Sequence, residues 1–381
     1  MSAPEGVAPG LPTIEPMRIE RAETFLVEIP FELKGSGVGI MPTTWNSLDF
    51  ALVRLTDDRG NVGWGEGFGY QVAAATRLLM ERLVLPTLVG EVVDDIAAWN
   101  LTAQRMTHLF GRFGGTVFAI GGVDIALWDL AARRAGLPLA ELLSDAPLAS
   151  ASLPFYGSLV RYGEDALVRE AVARSQDEGF ARIKLHEVEV PLILAARETA
   201  PDASIAADIN CAWSAEFVDE HRDDLVGARL EWLEEPVFPP EDFAALAAMR
   251  GGPFPIAAGE NLSTARQCAQ MLSAGAVDVF QPSPTKVGGL SETWRALDMG
   301  AHHGVRLCPH TPYFGPGMHV ALHMAAARSD VEALEWLFVD PEAWITDVPG
   351  LRTGDTVRVP DGPGIGFEPD MAVIERYAAR R

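Results

Sequence analysis

The sequence predicts an α/β protein, a β/α barrel preceded by a smaller α+β layer. Three observations carry that prediction. From about Leu153, short runs rich in strand formers alternate with segments whose apolar residues recur at three and four. Within that stretch Asp208, Glu234 and Glu260 each close such a run, 26 residues apart, an interval that holds one helix and two loops. The first part of the chain, to roughly residue 145, lacks this rhythm: strand-like runs and a hairpin turn come first, and helical spacing follows.

Composition bounds the function classes. With 381 residues, 48% of them hydrophobic, the chain can bury a large core and is long enough for two domains. A formal net charge of −23 argues against a nucleic-acid partner, because phosphate binding needs clustered Lys and Arg. It leaves an anionic small-molecule substrate open, since one metal ion and one lysine can dominate a local site. Cys211, Cys268 and Cys308 lack paired spacing and read as reduced thiols of a cytoplasmic protein. Residues 1–16 have neither a basic start nor an apolar core, and no run reaches the ~18 apolar residues that span a bilayer, so no membrane association is expected.

Taken in order, 1–16 is a loose Pro-rich tail. Segments 17–29 and 47–55 read as strands joined by PFELKGSGVGIMPTTWN, a long Gly-rich connection that carries Phe31, Met41 and Trp45 and suits a lid over a ligand. DDRGN is a turn, VGWGE the return strand of a hairpin, and GFGYQ, with Tyr70, a second loop. From Val72 to about Leu143 the spacing is helical; Asp124 and Asp129 there read as caps or solvated partners. Eight strands are predicted next, at 154–159, 181–186, 204–210, 230–235, 255–260, 277–281, 305–310 and 332–336. Helices fill the gaps at 164–178, 214–226, 241–249, 264–274, 290–303 and 317–327, with a weaker one of about two turns at 191–199. Ser214 and Ser263 stand where N-caps are expected. Beyond Val339 a Pro- and Gly-rich tail with one strand-like run, 356–359, is expected to pack back on the first domain.

In such a barrel the strand ends form the mouth, and here they are polar: Lys184 and His186, Asp208 and Asn210, then Glu234, Glu260, Ser283, His310 and Glu335. Spacing by two puts Lys184 with His186, and Asp208 with Asn210, on one face. The single-residue offset of Glu234 and Glu235 puts those two on opposite faces, so only one can look into the mouth. Three converging carboxylates cannot stay unpaired. A hard divalent cation with oxygen ligands relieves their repulsion, and Mg²⁺ is the default where substrate completes the coordination sphere; Ca²⁺ or a purely structural cation is the alternative. Lys286 reads as structural and His302 and His303 as surface. His319 and His323 share a helical face at metal-ligand spacing but lack a third ligand.

These residues carry a resemblance. GGVDIALWDLAARRAGLPLAELL, GFARIKLHE, AADIN, WLEEP, AAGEN, QPSPTKVGG, LCPH and PGIGFEPD, in that order over nearly the whole chain, resemble the enolase superfamily in its mandelate racemase and muconate lactonizing enzyme branch. The resemblance implies a modified (β/α)7β TIM-type barrel with an α+β capping domain. It implies Mg²⁺ held by Asp208, Glu234 and Glu260, abstraction of a proton α to a carboxylate, and association into a homo-oligomer. The chain then divides into the tail 1–16, a cap at 17–145 with loops near 30–46 and 66–72 over the site, a barrel at 146–340, and a segment at 341–381 that returns to the cap. Lys184 would stand beside the substrate carboxylate, and Glu335 resembles the eighth-strand acid that hydrogen-bonds the enolate oxygen.

Two departures shape the functional expectation. The second-strand motif, commonly Lys-x-Lys, is Lys184-Leu185-His186, and an imidazole titrates near neutrality without the burial a lysine needs. Ser283 stands where the racemase pattern has an aspartate, which leaves His310 without an obvious carboxylate. The leading expectation is a Mg²⁺-dependent lyase that dehydrates a hydroxylated carboxylic acid of the acid-sugar type. His186, with Lys184 beside it, would take the α-proton, and His310 would protonate the departing hydroxyl. Asn210, Ser283, Trp45 and Tyr70 are expected to contact substrate. The alternatives are a racemase or epimerase working by 1,1-proton transfer, and a metal-stabilised homologue without turnover.

Overall fold

The computed structural model describes residues 10–32, 45–144, 148 and 151–379. Most of the expected lid, 33–44, and most of the N-terminal tail, 1–9, lie outside the described residues.

The first domain opens on β1 (Met17–Pro30), β2 (Ser47–Asp57) and β3 (Val62–Gly67), an antiparallel meander. The Asp57 carboxylate fixes the turn between β2 and β3 by accepting from Arg59 N at 2.9 Å and Asn61 N at 2.8 Å. A short strand the sequence did not signal, β4 (Val92–Val93), pairs with β1 and completes the sheet order β3-β2-β1-β4. β3 lies directly on the helix Gly115–Ala135: a Cβ at Gly65 would stand 1.9 Å from Gly122 O, so only glycine permits the approach.

That helix corrects two expectations. It is long and apolar enough to cross a bilayer, but it is buried along almost its whole length inside the protein. Its Asp124 and Asp129 are fully buried rather than solvated. Asp124 accepts from Asn100 Nδ2 at 2.7 Å and from Ser291 N at 3.0 Å, and Asp129 from Trp64 N at 2.7 Å, Ile365 N at 2.8 Å and Arg133 Nε at 3.0 Å. They tie the helix to the meander, to a barrel helix and to the closing segment.

The second domain is a barrel of parallel strands: β5 (Ser152–Leu159), β6 (Arg182–Leu185), β7 (Ser204–Asp208), β8 (Leu230–Glu234), β9 (Ile256–Ala258), β10 (Val279–Phe280), β11 (Arg306–Leu307) and β12 (Leu334–Phe338). β12 pairs with β5, and a bridge from Leu307 to Val331 closes the ring. A helical stretch follows each of the first seven strands, and none separates β12 from the closing segment, which makes the barrel (β/α)7β. The weakly signalled second helix is Val190–Thr199, with Pro191 in the first turn, where its missing N–H costs nothing. Ser214 caps as expected, accepting from Phe217 N. The cap of Ala265–Ser273 is Thr264, one residue beyond the expected Ser263, because Thr264 bonds Gln267 N while Gln267 Oε1 reaches back to Ser263 N at 2.8 Å.

The closing segment forms β13 (Arg352–Thr353) and β14 (Thr356–Arg358), and β14 pairs with β5 of the barrel. Beyond it, Ile365 N donates to Asp129 Oδ1 at 2.8 Å and Ala378 bridges Val27.

Inside the barrel, Tyr156, Ala206, Trp232, Ala257, Val279, Cys308 and Ala333 form a buried layer of their own. Two residues beyond six of these stand Ser158, Asp208, Glu234, Gln281, His310 and Glu335, and the strand period of two sets them one layer nearer the mouth. From Ala257 the same step lands on Gly259, whose φ is 138° and where a Cβ would meet Gln281 N at 3.0 Å. Glycine turns the chain there, and the residue that enters the mouth is the next one, Glu260.

Candidate active site

Asp208, Glu234 and Glu260 are buried, with carboxylate oxygens that all lie within 4.8 Å of one another. Lys184 is wholly buried beside them, its Nζ 3.2 Å from Asp208 Oδ2, 2.9 Å from Glu234 Oε1 and 2.9 Å from Glu335 Oε1. Trp232 Nε1 at 2.9 Å and Gln281 Nε2 at 2.8 Å complete the partners of Glu234. Lys286 Nζ reaches Glu260 Oε1 at 3.0 Å, so this lysine belongs to the site rather than to the scaffold alone.

The expectation that only one of Glu234 and Glu235 reaches the mouth fails. Glu235 has a φ of 41°, which ends the strand alternation; it lines the cavity, held by Asn261 Nδ2 at 3.0 and 2.9 Å. Asn210 and Cys211 on the neighbouring loop also have positive φ, 47° and 61°.

These acids outnumber their cations, and their proton affinities diverge accordingly. Burial raises Asp208, but Lys184 and then His186 outweigh it and hold Asp208 at about 2. Burial and the Asp208 charge push Glu234 up to about 8 against the pull of Lys184. Burial, Glu260 and Asp208 drive Glu235 well above the carboxylate range, whereas His310 and Lys286 overcome burial and keep Glu260 well below it. A cluster in which carboxylates keep one another protonated lacks positive charge. Its donors are hard oxygens, so the residues fit a divalent cation of the Mg²⁺ or Ca²⁺ type.

Two histidines flank the triad. His186 Nδ1 lies 2.5 Å from Leu159 O; a carbonyl only accepts, so Nδ1 carries the hydrogen and Nε2 faces Asp208 Oδ2 at 3.3 Å. Burial lowers the basicity of His186, but its contact with Asp208 more than compensates and raises it. His310 Nδ1 is 3.2 Å from both Ser283 Oγ and the Tyr313 hydroxyl, which also bond each other. His310 Nε2 is 2.9 Å from Glu260 Oε2 and 4.0 Å from Glu335 Oε2. The absent sixth-strand carboxylate is thus replaced by two hydroxyls on one nitrogen, and the carboxylates stand at the other.

A cavity of about 300 Å³ joins these groups. Trp45, Phe68 and Tyr70 line it from the cap, and His186, Asn210, Glu260, His310 and Glu335 from the barrel. Trp45 and Tyr70 pack with ring centroids 4.9 Å apart, and Tyr70 holds a φ of 45°. Lys184 and Ser283 are not on the cavity wall; both are fully buried, Lys184 under the acids and Ser283 behind His310. His302 and His303 are exposed, while His319 and His323 are buried, neutral core residues that burial holds down at about 4 and about 3. Sequence reasoning missed Arg161, Glu235 and Tyr313 and undervalued Lys286. Tyr313 carried the one usable signal, three residues past His310 on the same loop.

Comparisons with known proteins agree with this arrangement. Residues 21–144 match the mandelate racemase / muconate lactonizing enzyme N-terminal domain family, and residues 166–373 match the family described as enolase C-terminal domain-like. A D-galactarolactone cycloisomerase of Agrobacterium fabrum is 31% identical over 86% of this chain and 90% of its own length. An L-talarate/galactarate dehydratase of Salmonella typhimurium is 30% identical over 88% of each chain. The structure of a mandelate racemase/muconate lactonizing enzyme from Bordetella bronchiseptica superposes with a TM-score of 0.83 at 26% identity, covering 95% of this chain and all of that one.

Proposed function

The chain belongs to the mandelate racemase / muconate lactonizing enzyme branch of the enolase superfamily, and on that premise we propose that it is a Mg²⁺-dependent lyase that eliminates water from a hydroxylated carboxylic acid of the acid-sugar type. The observation that carries this reading is that two chemically unequal histidines, His186 and His310, line one cavity on either side of a buried acid triad. The names of the dehydratase and cycloisomerase relatives support the sugar-acid class.

In this reading Asp208, Glu234 and Glu260 hold Mg²⁺. When bound, the ion supplies positive charge at the substrate carboxylate, where negative charge grows as the weakly acidic α-proton leaves. His186 takes that proton at Nε2, its ring fixed by Leu159 O. The C–H electrons move into the enolate, where the Lys184 cation, held by Glu335 Oε1 at 2.9 Å, offsets the growing negative charge. The β-carbon–oxygen bond then breaks, and His310 gives the proton on Nε2 to the departing hydroxyl, which leaves as water. The resulting enol tautomerises to an α-keto acid. The Ser283 and Tyr313 hydroxyls hold the His310 ring in place, and Trp45, Phe68 and Tyr70 exclude water from the cap side. Asn210 Oδ1, buried at the cavity without a hydrogen-bond partner among the described residues, is positioned to receive a substrate hydroxyl. The proposal divides the chain into a cap at 17–145, a catalytic barrel at 146–340 and a closing segment at 341–381, in a cytoplasmic homo-oligomer.

Incubating a panel of acid sugars with the protein and Mg²⁺ and measuring α-keto acid tests the proposal. We expect turnover of at least one acid, with His186→Asn and His310→Asn each slower by ~10²-fold or more. No keto acid from any member would overturn it. A histidine on both sides of the cavity also favours a second reading, 1,1-proton transfer; deuterium uptake at the α-carbon without loss of water selects it.

A further inference from the structure

Arg161 stands two residues past the end of β5 and lines the cavity beside His186. Its position is fixed twice over. The Glu187 carboxylate clamps the adjoining backbone, accepting from Tyr162 N at 2.7 Å and Gly163 N at 3.1 Å, and the guanidinium Nε donates to His186 O at 2.7 Å. The two terminal nitrogens of the guanidinium have no protein partner among the described residues.

That is unusual at this cavity. Lys286, His186 and His310 each stand within ion-pair distance of a carboxylate, but among the described residues no carboxylate lies that close to Arg161. Both oxygens of Glu187 are already engaged by backbone N–H groups. Residues 33–44, LKGSGVGIMPTT, contain no Asp or Glu that could serve instead. In a chain with 53 acidic residues, this half-buried arginine stands beyond ion-pair distance of every described one. A guanidinium stays charged, and desolvating it without a counter-charge is unfavourable unless a ligand provides one. Its planar fork matches a carboxylate bidentately.

We propose that the substrate carries a second carboxylate and that Arg161 binds it, so that the enzyme takes dicarboxylic rather than monocarboxylic sugar acids. The inference rests on the reading that the first carboxylate docks at the acid triad. His186 touches both ends of such a ligand's path, its ring facing Asp208 and its carbonyl holding Arg161. A diacid stretched between the triad and Arg161 therefore runs past the base, and the distal clamp fixes which carbon meets Nε2.

Calorimetry on the Mg²⁺-loaded full chain, with pairs of aldaric and aldonic acids of matched configuration and a sugar-acid phosphate as a second distal anion, tests this. At least one diacid is expected to bind about tenfold or more tighter than its monoacid partner. Arg161→Met, with folding checked by its melting temperature, should bring that ratio to near one, and Arg161→Lys should restore part of it. The inference is overturned if no diacid outbinds its partner, if the ratio survives in Arg161→Met, or if only the phosphate shows dependence on Arg161. Diacid binding that follows Arg161 without release of water would sink the dehydratase reading and leave this one standing. Monoacid dehydration indifferent to Arg161 would do the reverse.

Discussion

At the seam between cap and barrel, Asp124, Asp129 and Glu66 are as deeply buried as Asp208, Glu234 and Glu260 at the mouth. Their surroundings differ in kind. The seam acids stand apart from one another and accept from backbone, amide and guanidinium N–H groups: Asp124 from Asn100 and Ser291, Asp129 from Trp64 N, Ile365 N and the Arg133 guanidinium, and Glu66 from Gly317 N at 2.8 Å. Each is completed by the folded chain alone. The mouth acids face one another, share Lys184, and adjoin loops with positive φ at Asn210, Cys211 and Glu235. Protein cations compensate Asp208 and Glu260 but leave Glu234 with a raised proton affinity, so the folded chain alone does not balance the cluster. Burial of a carboxylate therefore does not identify a site; burial against other carboxylates does.

The contrast makes separable predictions. The largest concerns function. Glu234→Gln should abolish the rise in melting temperature that Mg²⁺ produces and slow α-proton exchange by ~10³-fold or more, while the metal-free protein melts no lower than wild type, because burial and the Asp208 charge already push the Glu234 carboxyl up to about 8 and a neutral amide takes its place. A variant that melts several degrees lower yet still responds to Mg²⁺ would erase the distinction. Next comes stability. Asp129→Ala leaves Trp64 N, Ile365 N and the Arg133 guanidinium without their acceptor, and urea unfolding should show a loss of about 3–5 kcal/mol. Turnover per folded molecule should stay within about threefold of wild type; a collapse in turnover at unchanged stability would place Asp129 in the chemistry.

The barrel and the acid triad were legible in the sequence because their cause is local. A strand period of two fixes which residues face inward, and Asp208, Glu234, His310 and Glu335 each lie one such step beyond a residue of the interior layer. What escaped depends on loops and on distant packing. Glu235 enters the mouth through a positive φ that no strand pattern announces, and Arg161 lies beyond its strand on a loop held by Glu187. Asp129 takes its meaning from Ile365, 236 residues away, so its neighbours in sequence suggest only a solvated acid.

Smaller effects probe the two regions more finely. Tyr313→Phe leaves His310 Nδ1 with Ser283 alone, and kcat should fall by about tenfold with little change in KM, since the hydroxyl holds a ring rather than a substrate. An unchanged kcat would show that Ser283 suffices. At the seam, burial pushes Glu66 up to about 7, only partly offset by Gly317 N. Its folded pKa exceeds its unfolded one, so its contribution is fully present below ~4.3 and is lost as pH rises through about 7. Glu66→Gln stays neutral, so its stability relative to wild type should climb between pH 5 and pH 7 by at most ~1.4 kcal/mol per unit. A difference that does not vary with pH would contradict the assignment.

The most direct test of the account is the fate of the C2 proton of a dicarboxylic sugar acid in D₂O, followed by proton NMR with Mg²⁺ present and then with EDTA. The account predicts that the C2–H signal disappears with Mg²⁺, that a 3-deoxy-2-keto acid carrying deuterium at C3 replaces it, and that EDTA or Asp208→Asn stops both changes. A C2–H signal that persists in every acid of the panel with Mg²⁺ bound, or exchange that continues undiminished in EDTA, would contradict it.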